Sequence, residues 1–362
     1  MIYMVYIFYF AIVLLMLYYL FTRIKKFNFI KNMSNKKVAN ILSIIPILVL
    51  FLIVFISSVN ALTIIGHYFL FFVIFEFIYY IVNKIKTINT KYYIVGIISI
   101  LFTSIYLVYG FYSAHNVVRT NYLVNTNKDI GVEKLRIVQI SDSHIGATFN
   151  GNGFKKHIEE IKKVKPDVVV ITGDFVDDDT KKKDMLISAE ALGNLKTKYG
   201  IYFVFGNHDK GYFNRRDFDE KDLKNALEKN NVKVLEDKYI MINDNICILG
   251  RKDKSDLTRK NINKLTKNID KNKYIIDLNH QPNDYDNETK SNIDLVLSGH
   301  THGGQLLPIT MFVGKSSFND RKYGLEKRGN TTFIVNSGIS DWALDFKTGT
   351  KSEYGVIDII KK

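Results

Sequence analysis

The chain has 362 residues, 47% of them hydrophobic, and a formal net charge of +14, so it is long enough for more than one folded unit. The first 120 residues contain 10 Lys or Arg and one acid and supply +9 of that charge, whereas the remainder has 40 basic and 35 acidic residues. This mild excess indicates no nucleic-acid partner, and the single cysteine excludes a disulfide within the chain.

Four apolar runs occupy the first third of the chain. Residues 1–22 carry no charge and are long enough to span about 30 Å of hydrocarbon. Three further runs follow, at 41–59, 62–82 and 92–112. A cleaved signal peptide is not indicated, because the first run lacks a basic leading region and a clear small-residue cleavage site. Residues 1–112 are therefore predicted to form a transmembrane region of four helices.

Basic residues in the loops predict the orientation of these helices. Six basic residues fill the first loop, the segment 57–61 between the second and third helices is uncharged, and three lysines mark the third loop. The positive-inside rule places the first and third loops in the cytoplasm. We therefore expect an integral, multi-pass protein of the cell membrane, with both termini extracellular. The basic residues are Arg23, Lys25, Lys26, Lys31, Lys36 and Lys37, and then Lys84, Lys86 and Lys91.

One acid, Glu76, lies inside the third predicted helix. An intramembrane acid is a candidate for function, but pairing within the bundle, for example with a tyrosine, is the alternative. After the helices, residues 113–133 are predicted to form a polar linker, and residues 134–362 a separate domain.

The stretch LSGHTHGGQ, residues 297–305, presents two histidines one residue apart, His300 and His302. An apolar run typical of a buried parallel strand precedes them, and two glycines that permit a sharp turn follow. This arrangement is typical either of a metal site or of a polar turn with satisfied histidines. The rest of the chain must decide between these two interpretations.

Other apolar runs also end in residues able to bind a cation. Ligands of open α/β sheets lie outside the carboxyl ends of the strands, where all these clusters fall. Five of the eight histidines of the chain belong to them, which favours a metal site over polar turns. The further candidates are Asp142 and His144 after LRIVQI, Asp174 after VVVITG, Asn207, His208 and Asp209 after IYFVFG, and His280 after YIIDLN.

The ligand types indicate the chemistry. Imidazole and carboxylate without thiolate suit manganese, iron or zinc. Too many candidate ligands are present for one tetrahedral ion, so we expect two divalent metal ions that share a bridging carboxylate. The seven candidate ligands are Asp142, His144, Asp174, Asn207, His280, His300 and His302. Such two-metal sites clamp the attacking and leaving oxygens of a phosphoryl displacement and lower the pKa of a bridging water. The pattern predicts hydrolysis of a phosphate ester.

The ordered motifs DSH, GD, GNHD, HQP and GHTHGGQ resemble those of calcineurin-like metallophosphoesterases over residues 134–362, and most closely the bacterial membrane-associated branch. The resemblance implies two facing β-sheets flanked by helices, with the metals on loops at one edge. It also implies that Asp142, His144 and His302 hold the first metal and Asn207, His280 and His300 the second, with Asp174 bridging. The same resemblance implies that His208 protonates the leaving oxygen and that Asp209 orients the ring of His208.

The tail departs from the pattern of that branch. Asp345, Lys347 and Ser352 stand where proline or arginine is common, so the placement of substrate is less defined than the metal site.

The sequence thus predicts a membrane-anchored phosphoesterase with two metal ions, manganese in the first instance and iron or zinc otherwise. A phosphorylated substrate at the bilayer, such as a phospholipid or a lipid-linked envelope intermediate, fits the anchor. Two alternatives remain: a non-hydrolytic membrane sensor that binds a phosphorylated ligand, and a cytoplasm-facing nucleotide phosphodiesterase.

Overall fold

The computed structural model describes residues 2–88, 90–213, 215–308 and 319–362, and it divides into two compact units, residues 1–111 and 112–362. The first unit is helical, and four of its helices are long and apolar enough to cross a membrane, as the sequence predicts. A short helix occupies the basic first loop. The helices are α1 (Ile2–Ile24), α2 (Asn28–Lys31), α3 (Lys36–Ile56), α4 (Ser58–Ile85) and α5 (Ile94–His115), the last of which runs past the boundary between the units.

The helical unit is apolar inside and outside. Side chains such as Leu17, Val54 and Ile65 pack together in its interior. Large apolar side chains such as Leu15 and Leu48 point outward and are exposed. Helices that are hydrophobic on all faces are typical of membrane spans, where lipid covers the outer surface.

Glu76 in α4 is paired within the helical unit. The structure therefore fits the interpretation that this acid is paired within the bundle. Arg23 Nε lies 3.0 Å from Oε2 of Glu76, and Lys26 Nζ lies 2.9 Å from Oε1. The hydroxyls of Tyr19 and Tyr93 donate to the same carboxylate over 3.1 and 2.5 Å. Two cations and two phenols therefore satisfy the only acid in this unit.

The second unit contains two six-stranded sheets. In the first sheet the strand order is β1-β12-β2-β3-β4-β5, and in the second it is β10-β11-β9-β8-β7-β6. Strands β2, β3, β4 and β5 run parallel, as do β7, β8, β9 and β11. The strands are β1 (Val118–Thr126), β2 (Lys134–Ile140), β3 (Val168–Thr172), β4 (Ile201–Val204), β5 (Val232–Val234), β6 (Lys238–Met241), β7 (Ile246–Gly250), β8 (Tyr274–Leu278), β9 (Leu295–Ser298), β10 (Gly324–Arg328), β11 (Thr331–Val335) and β12 (Glu353–Lys361).

Hydrophobic layers on both faces explain why the central strands are continuous apolar runs. Between the sheets, Val170 of the first packs in one cluster with Ile276 and Leu297 of the second. Helices cover the outer faces, so the domain has the two flanked sheets that the sequence predicts. They are α6 (Gly151–Lys163), α7 (Lys182–Gly193) and α8 (Glu220–Lys229) on the first sheet, and α9 (Ile262–Thr266) and α10 (Tyr285–Lys290) on the second.

The segment 113–133 is not the linker expected from the sequence, because it contains β1. This strand pairs in parallel with β12 over nine residues, from Val118 opposite Glu353 to Thr126 opposite Lys361. Only residues 116 and 117 separate α5 from β1. The second unit therefore begins at about residue 112.

Candidate metal centre

The predicted site residues all follow the carboxyl ends of parallel strands. Asp142 and His144 follow β2, Asp174 follows β3, and Asn207 and His208 follow β4 in the first sheet. His280 follows β8, and His300 and His302 follow β9 in the second sheet. Since the two sheets face each other, their loops meet at one edge of the domain, and both sheets contribute to a single site.

Five of the predicted ligands have a backbone conformation that is rare outside glycine. Their φ angles are +50° for Asp142, +35° for His144, +52° for Asp174, +70° for His300 and +45° for His302. Non-glycine residues seldom adopt positive φ, and such strain concentrates at functional sites that the surrounding structure holds in place. Hydrogen bonds across the strands hold these turns, for example from Asp142 N to Gly173 O over 3.0 Å.

Gly173 permits the loops of the two sheets to approach closely. Its φ is +84°, and a Cβ built on it would lie 2.5 Å from Nδ1 of His280 and 2.7 Å from the backbone nitrogen of Gly206. Any side chain at this position would therefore push the His280 loop away from Asp174.

Asp142, His144 and His302 form the first cluster, with one ligand atom of each within 4.8 Å of the others. Nε2 of His302 lies 3.7 Å from Oδ1 of Asp142, and the imidazoles of His144 and His302 stack with centroids 5.2 Å apart. Nε2 of His144 is buried and makes no hydrogen bond to any residue that the structure describes. A buried polar atom without a partner is costly, and a cation held by this cluster would satisfy it.

Asp174, His280 and His300 form the second cluster by the same criterion. Nδ1 of His280 donates to Thr172 O over 2.7 Å, which fixes the ring so that Nε2 faces the site. The Asn207 amide joins this cluster, since its Oδ1 lies 3.2 Å from Nε2 of His280. These contacts gather the residues that the resemblance assigns to the second metal.

Asp174 lies between the two clusters. Its Oδ2 is 3.1 Å from Nε2 of His280 and 3.8 Å from Nε2 of His144. Its Oδ1 accepts a hydrogen bond from the backbone of His208 over 2.8 Å. One carboxylate oxygen of Asp174 thus faces imidazoles from both clusters, which fits the bridging role expected of this residue.

Burial and pairing shift the pKa values of several groups in the site. Burial opposes ionisation of Asp174, but the pairing with His280 holds the pKa of this carboxyl well below its usual range and, against burial, raises the pKa of His280 well above its own. Burial lowers the pKa of His300 to about 4 and that of His302 well below its ordinary value. Both are therefore neutral imidazoles at pH 7, the form that binds metals.

The donor set fits two divalent cations. It consists of imidazole nitrogens and carboxylate or amide oxygens, and the only cysteine, Cys247, is buried in β7 away from these loops. Nitrogen and oxygen donors suit manganese, iron and zinc alike, so they define a dinuclear site without selecting its metal.

His208 lies beside the first cluster, with its ring centroid 5.1 Å from that of His144. Its Nδ1 is 3.2 Å from Oδ1 of Asp177, which leaves Nε2 for a substrate. The rings of Tyr212 and Trp342 flank it, with centroids 5.1 and 5.2 Å from that of His208. The group His144, Asp177 and His208 also brings three ligand atoms within 4.8 Å, but the contact of His208 with Asp177 is at hydrogen-bonding distance and needs no ion.

Asp209 does not contact the ring of His208, contrary to the role that the resemblance implies. Its buried carboxylate accepts backbone hydrogen bonds of 2.7–3.0 Å from residues 174, 175, 176 and 206. Burial and the nearby Asp174 raise the pKa of Asp209 to about 6. Asp209 thus ties together the loops after β3 and β4, while Asp177 contacts His208.

Two further parts of the site were not found from the sequence. Asp177 is the first of three successive aspartates, a run that favours a solvated turn, although it stands only three residues after Asp174. The other part is the pair Asp341 and Lys347. Lys347 Nζ is fully buried, lies 2.9 Å from Oδ1 of Asp341 and donates to Ser337 O over 2.9 Å. The same Asp341 oxygen lies 4.0 Å from Nδ1 of His302.

Comparisons with known proteins agree with this geometry. A family model described as calcineurin-like phosphoesterase matches residues 135–304. An uncharacterized metallophosphoesterase of Aquifex aeolicus is 32% identical over 230 residues, covering 60% of this chain and 82% of its own length. One of Campylobacter jejuni is 29% identical over 282 residues, covering 76% and 72%. A Danio rerio transmembrane protein with a metallophosphoesterase domain is 28% identical over 279 residues, covering 71% of this chain and 61% of its own length.

The chain belongs to the calcineurin-like metallophosphoesterase family. It is therefore a metal-dependent phosphoesterase of a family with a dinuclear divalent metal site, as the motifs predict. The four apolar helices, together with relatives named as transmembrane proteins, identify it as a membrane protein.

Proposed function

We propose that this enzyme hydrolyses a phosphomonoester or phosphodiester at the membrane surface, on a phospholipid or a lipid-linked envelope intermediate. The observation that carries the proposal is the meeting of two ligand clusters around Asp174, with His208 beside them. In the proposed assignment, Asp142, His144 and His302 hold one ion, Asn207, His280 and His300 hold the other, and Asp174 bridges them.

The two ions, proposed to be manganese, would supply a water of lowered pKa and neutralise the charge of the phosphate oxygens. His208 donates a proton from Nε2 to the leaving oxygen as the bond from phosphorus to that oxygen breaks. Water adds to phosphorus, so the products are an alcohol and a phosphate with one ester bond fewer. Asp177 holds Nδ1 of His208 and keeps the ring aimed at the leaving oxygen.

A lipid substrate is supported by the attachment of the domain. Residues 116 and 117 alone separate α5 from β1, so the enzyme unit is tethered closely to a membrane-spanning helix. A non-hydrolytic sensor would bind the same phosphate but would have no use for a proton donor at His208. The basic first and third loops favour an outward-facing enzyme.

The full-length protein in detergent, loaded with manganese, tests the proposal. Phospholipids, nucleotides and aryl phosphates are compared as substrates, and chelated protein serves as the control. Metal-dependent release of phosphate or alcohol, fastest from a lipid, is the expected result. Faster hydrolysis of nucleotides would favour the cytoplasm-facing alternative, and binding without hydrolysis of any phosphate ester would favour the sensor.

A further inference from the structure

A cavity of about 560 Å³ opens beside His208, and none of the seven predicted metal ligands is among the residues that line it. Its volume lies within the range of small-molecule sites. We call it the leaving-group cavity. Its lining includes Asp177, His208, Tyr212, Phe213, Arg215 and Trp342.

Three aromatic side chains line this cavity and are exposed at its rim. Tyr212 is 53% exposed, Phe213 66% and Trp342 45%. The backbone nitrogens of Tyr212 and Phe213 donate to Oδ1 of Asp178 over 2.8 and 3.1 Å, so the segment that carries both rings is held in place. Exposed aromatic residues gathered at one place mark a binding surface more often than scattered ones do.

Charge in the lining disfavours a second anionic group. Asp177, Asp178 and Asp179 line the cavity together with His208 and with Arg215, whose guanidinium lies 5.1 Å from the centroid of the Phe213 ring. A further phosphate or a carboxylate would meet this acidic wall. An uncharged apolar group would instead cover the aromatic rings and gain the free energy of burial.

The position of His208 defines which part of the substrate enters. A general acid protonates the oxygen that leaves, so the group beyond His208 is the departing alcohol. We propose that the leaving-group cavity binds the aliphatic alcohol of a phosphate-monoester lipid, so that the enzyme cuts the bond between the phosphate and the hydrophobic part. This inference rests on the proposed function and adds to it the side of the scissile bond on which the apolar chain lies.

Binding is tested separately from hydrolysis. Trp342 is the only tryptophan of the chain, so its fluorescence in the full-length, metal-loaded protein reports occupancy of the cavity by n-alkylphosphonates, which cannot be hydrolysed. From methyl to octyl, we expect a blue shift of emission and a fall in Kd of about two- to fourfold per methylene, fourfold being the full burial of a CH₂ at about 0.8 kcal/mol. Phe213→Ala should flatten this dependence.

Tyr239→Ala is the matched control, because Tyr239 is a comparably exposed aromatic residue on β6, outside this cavity. It should leave the dependence on chain length unchanged. A Kd that does not vary with chain length overturns the inference, and so does equal weakening by Tyr239→Ala. Tighter binding of a nucleoside 5′-monophosphate than of octylphosphonate overturns it as well.

Hydrolysis then tests on which side of the scissile bond the alkyl chain lies. For n-alkyl phosphates the chain departs, and kcat/KM should rise with its length in the wild-type protein but not in Trp342→Ala. For nitrophenyl alkyl diesters the chain stays on phosphorus, and we expect little dependence on length. A dependence confined to the diesters would overturn the inference. Chain-dependent binding with no hydrolysis of either series would instead overturn the proposed function and leave the cavity assignment standing.

Discussion

Nδ1 of His208 lies 3.2 Å from one carboxylate oxygen of Asp177, and Nδ1 of His144 lies 3.4 Å from the other. One side chain thus contacts both the proposed acid and a proposed metal ligand. Burial opposes its ionisation, but the two neighbouring imidazoles hold the pKa of the Asp177 carboxyl well below its usual range. Asp177 therefore remains charged throughout the range in which the enzyme would work.

Replacing Asp177 by asparagine removes this charge and keeps the shape of the side chain. Loss of a partner that orients a ligand costs about 10–100-fold in activity or metal affinity, and we expect a fall in kcat of that size. Asp286→Asn is the matched control, because Asp286 is exposed on α10 and the change removes the same charge outside the site and the cavity. Equal activity of the two variants on nitrophenyl phosphate would contradict the positioning role of Asp177.

His208→Ala should lower turnover on the order of 10²–10⁴-fold, the usual contribution of a general acid. Metal content should stay at the wild-type level, because the ring is not assigned to either ion. Substrates with a nitrophenol leaving group need less protonation, so they should lose less activity than alkyl phosphates. Metal analysis and a series of leaving groups check both points, and loss of a metal in this variant would refute the assignment.

Asp174→Asn should remove at least one of about two bound ions and nearly all hydrolysis. The carboxylate faces imidazoles of both clusters, so its negative charge would offset the repulsion between the two cations. Asp286→Asn, at an exposed position of α10, is the control for replacing an aspartate by an asparagine outside the site. Full metal occupancy together with normal turnover in Asp174→Asn would rule out a bridging role.

Lys347→Met should strongly destabilise the enzyme unit. Lys347 and Asp341 are both completely buried, and removal of one partner of a buried pair leaves an uncompensated charge, at a cost of about 3–5 kcal/mol. The double change Lys347→Met with Asp341→Leu should restore most of this stability. Guanidinium unfolding followed by the fluorescence of Trp342 measures these differences.

The control for this pair is Lys163→Met, since Lys163 pairs with Glu160 on the surface of α6. An exposed pair contributes about 0–1 kcal/mol, so unfolding of this variant should be almost unchanged. A single Lys347→Met variant as stable as Lys163→Met would mean that Lys347 and Asp341 do not form a buried ion pair.

Orientation can be measured with introduced cysteines, because the native Cys247 is buried and should not react. We expect a membrane-impermeant maleimide to label Lys271→Cys in intact cells, since Lys271 lies on the surface of the enzyme unit. Lys37→Cys in the basic first loop should be labelled only after the membrane is opened. The opposite pattern would place the enzyme in the cytoplasm and favour a nucleotide substrate over an envelope lipid.

Much of this site was predictable because each buried strand ends in residues that have no use in a hydrophobic core. Asp142, Asp174 and His280 each interrupt an apolar run, and parallel strands bring such ends to one edge. The backbone conformation of the ligands was not predictable from the sequence. Five of them have a positive φ, which hydrogen bonds between loops distant in the chain hold in place.

What the sequence concealed depends on partners far along the chain. In strand β1, which lies at the edge of its sheet, more exposed side chains alternate with less exposed ones. The polar residues of this strand therefore predict a linker, and only the structure shows the pairing with β12. A lysine such as Lys347 is expected at the surface. Only the tertiary fold places Asp341 and the carbonyl oxygen of Ser337 next to its ammonium group.

The position of β12 also bears on how the protein is made. This strand is inserted between β1 and β2, which are synthesised well before it and do not pair with each other. The ribosome must therefore deliver residues 353–361 before the first sheet can close and the loops of the site can converge. Until then the edge strand β1 lacks its neighbour β12, and pairing between segments so distant in the chain is slow to form.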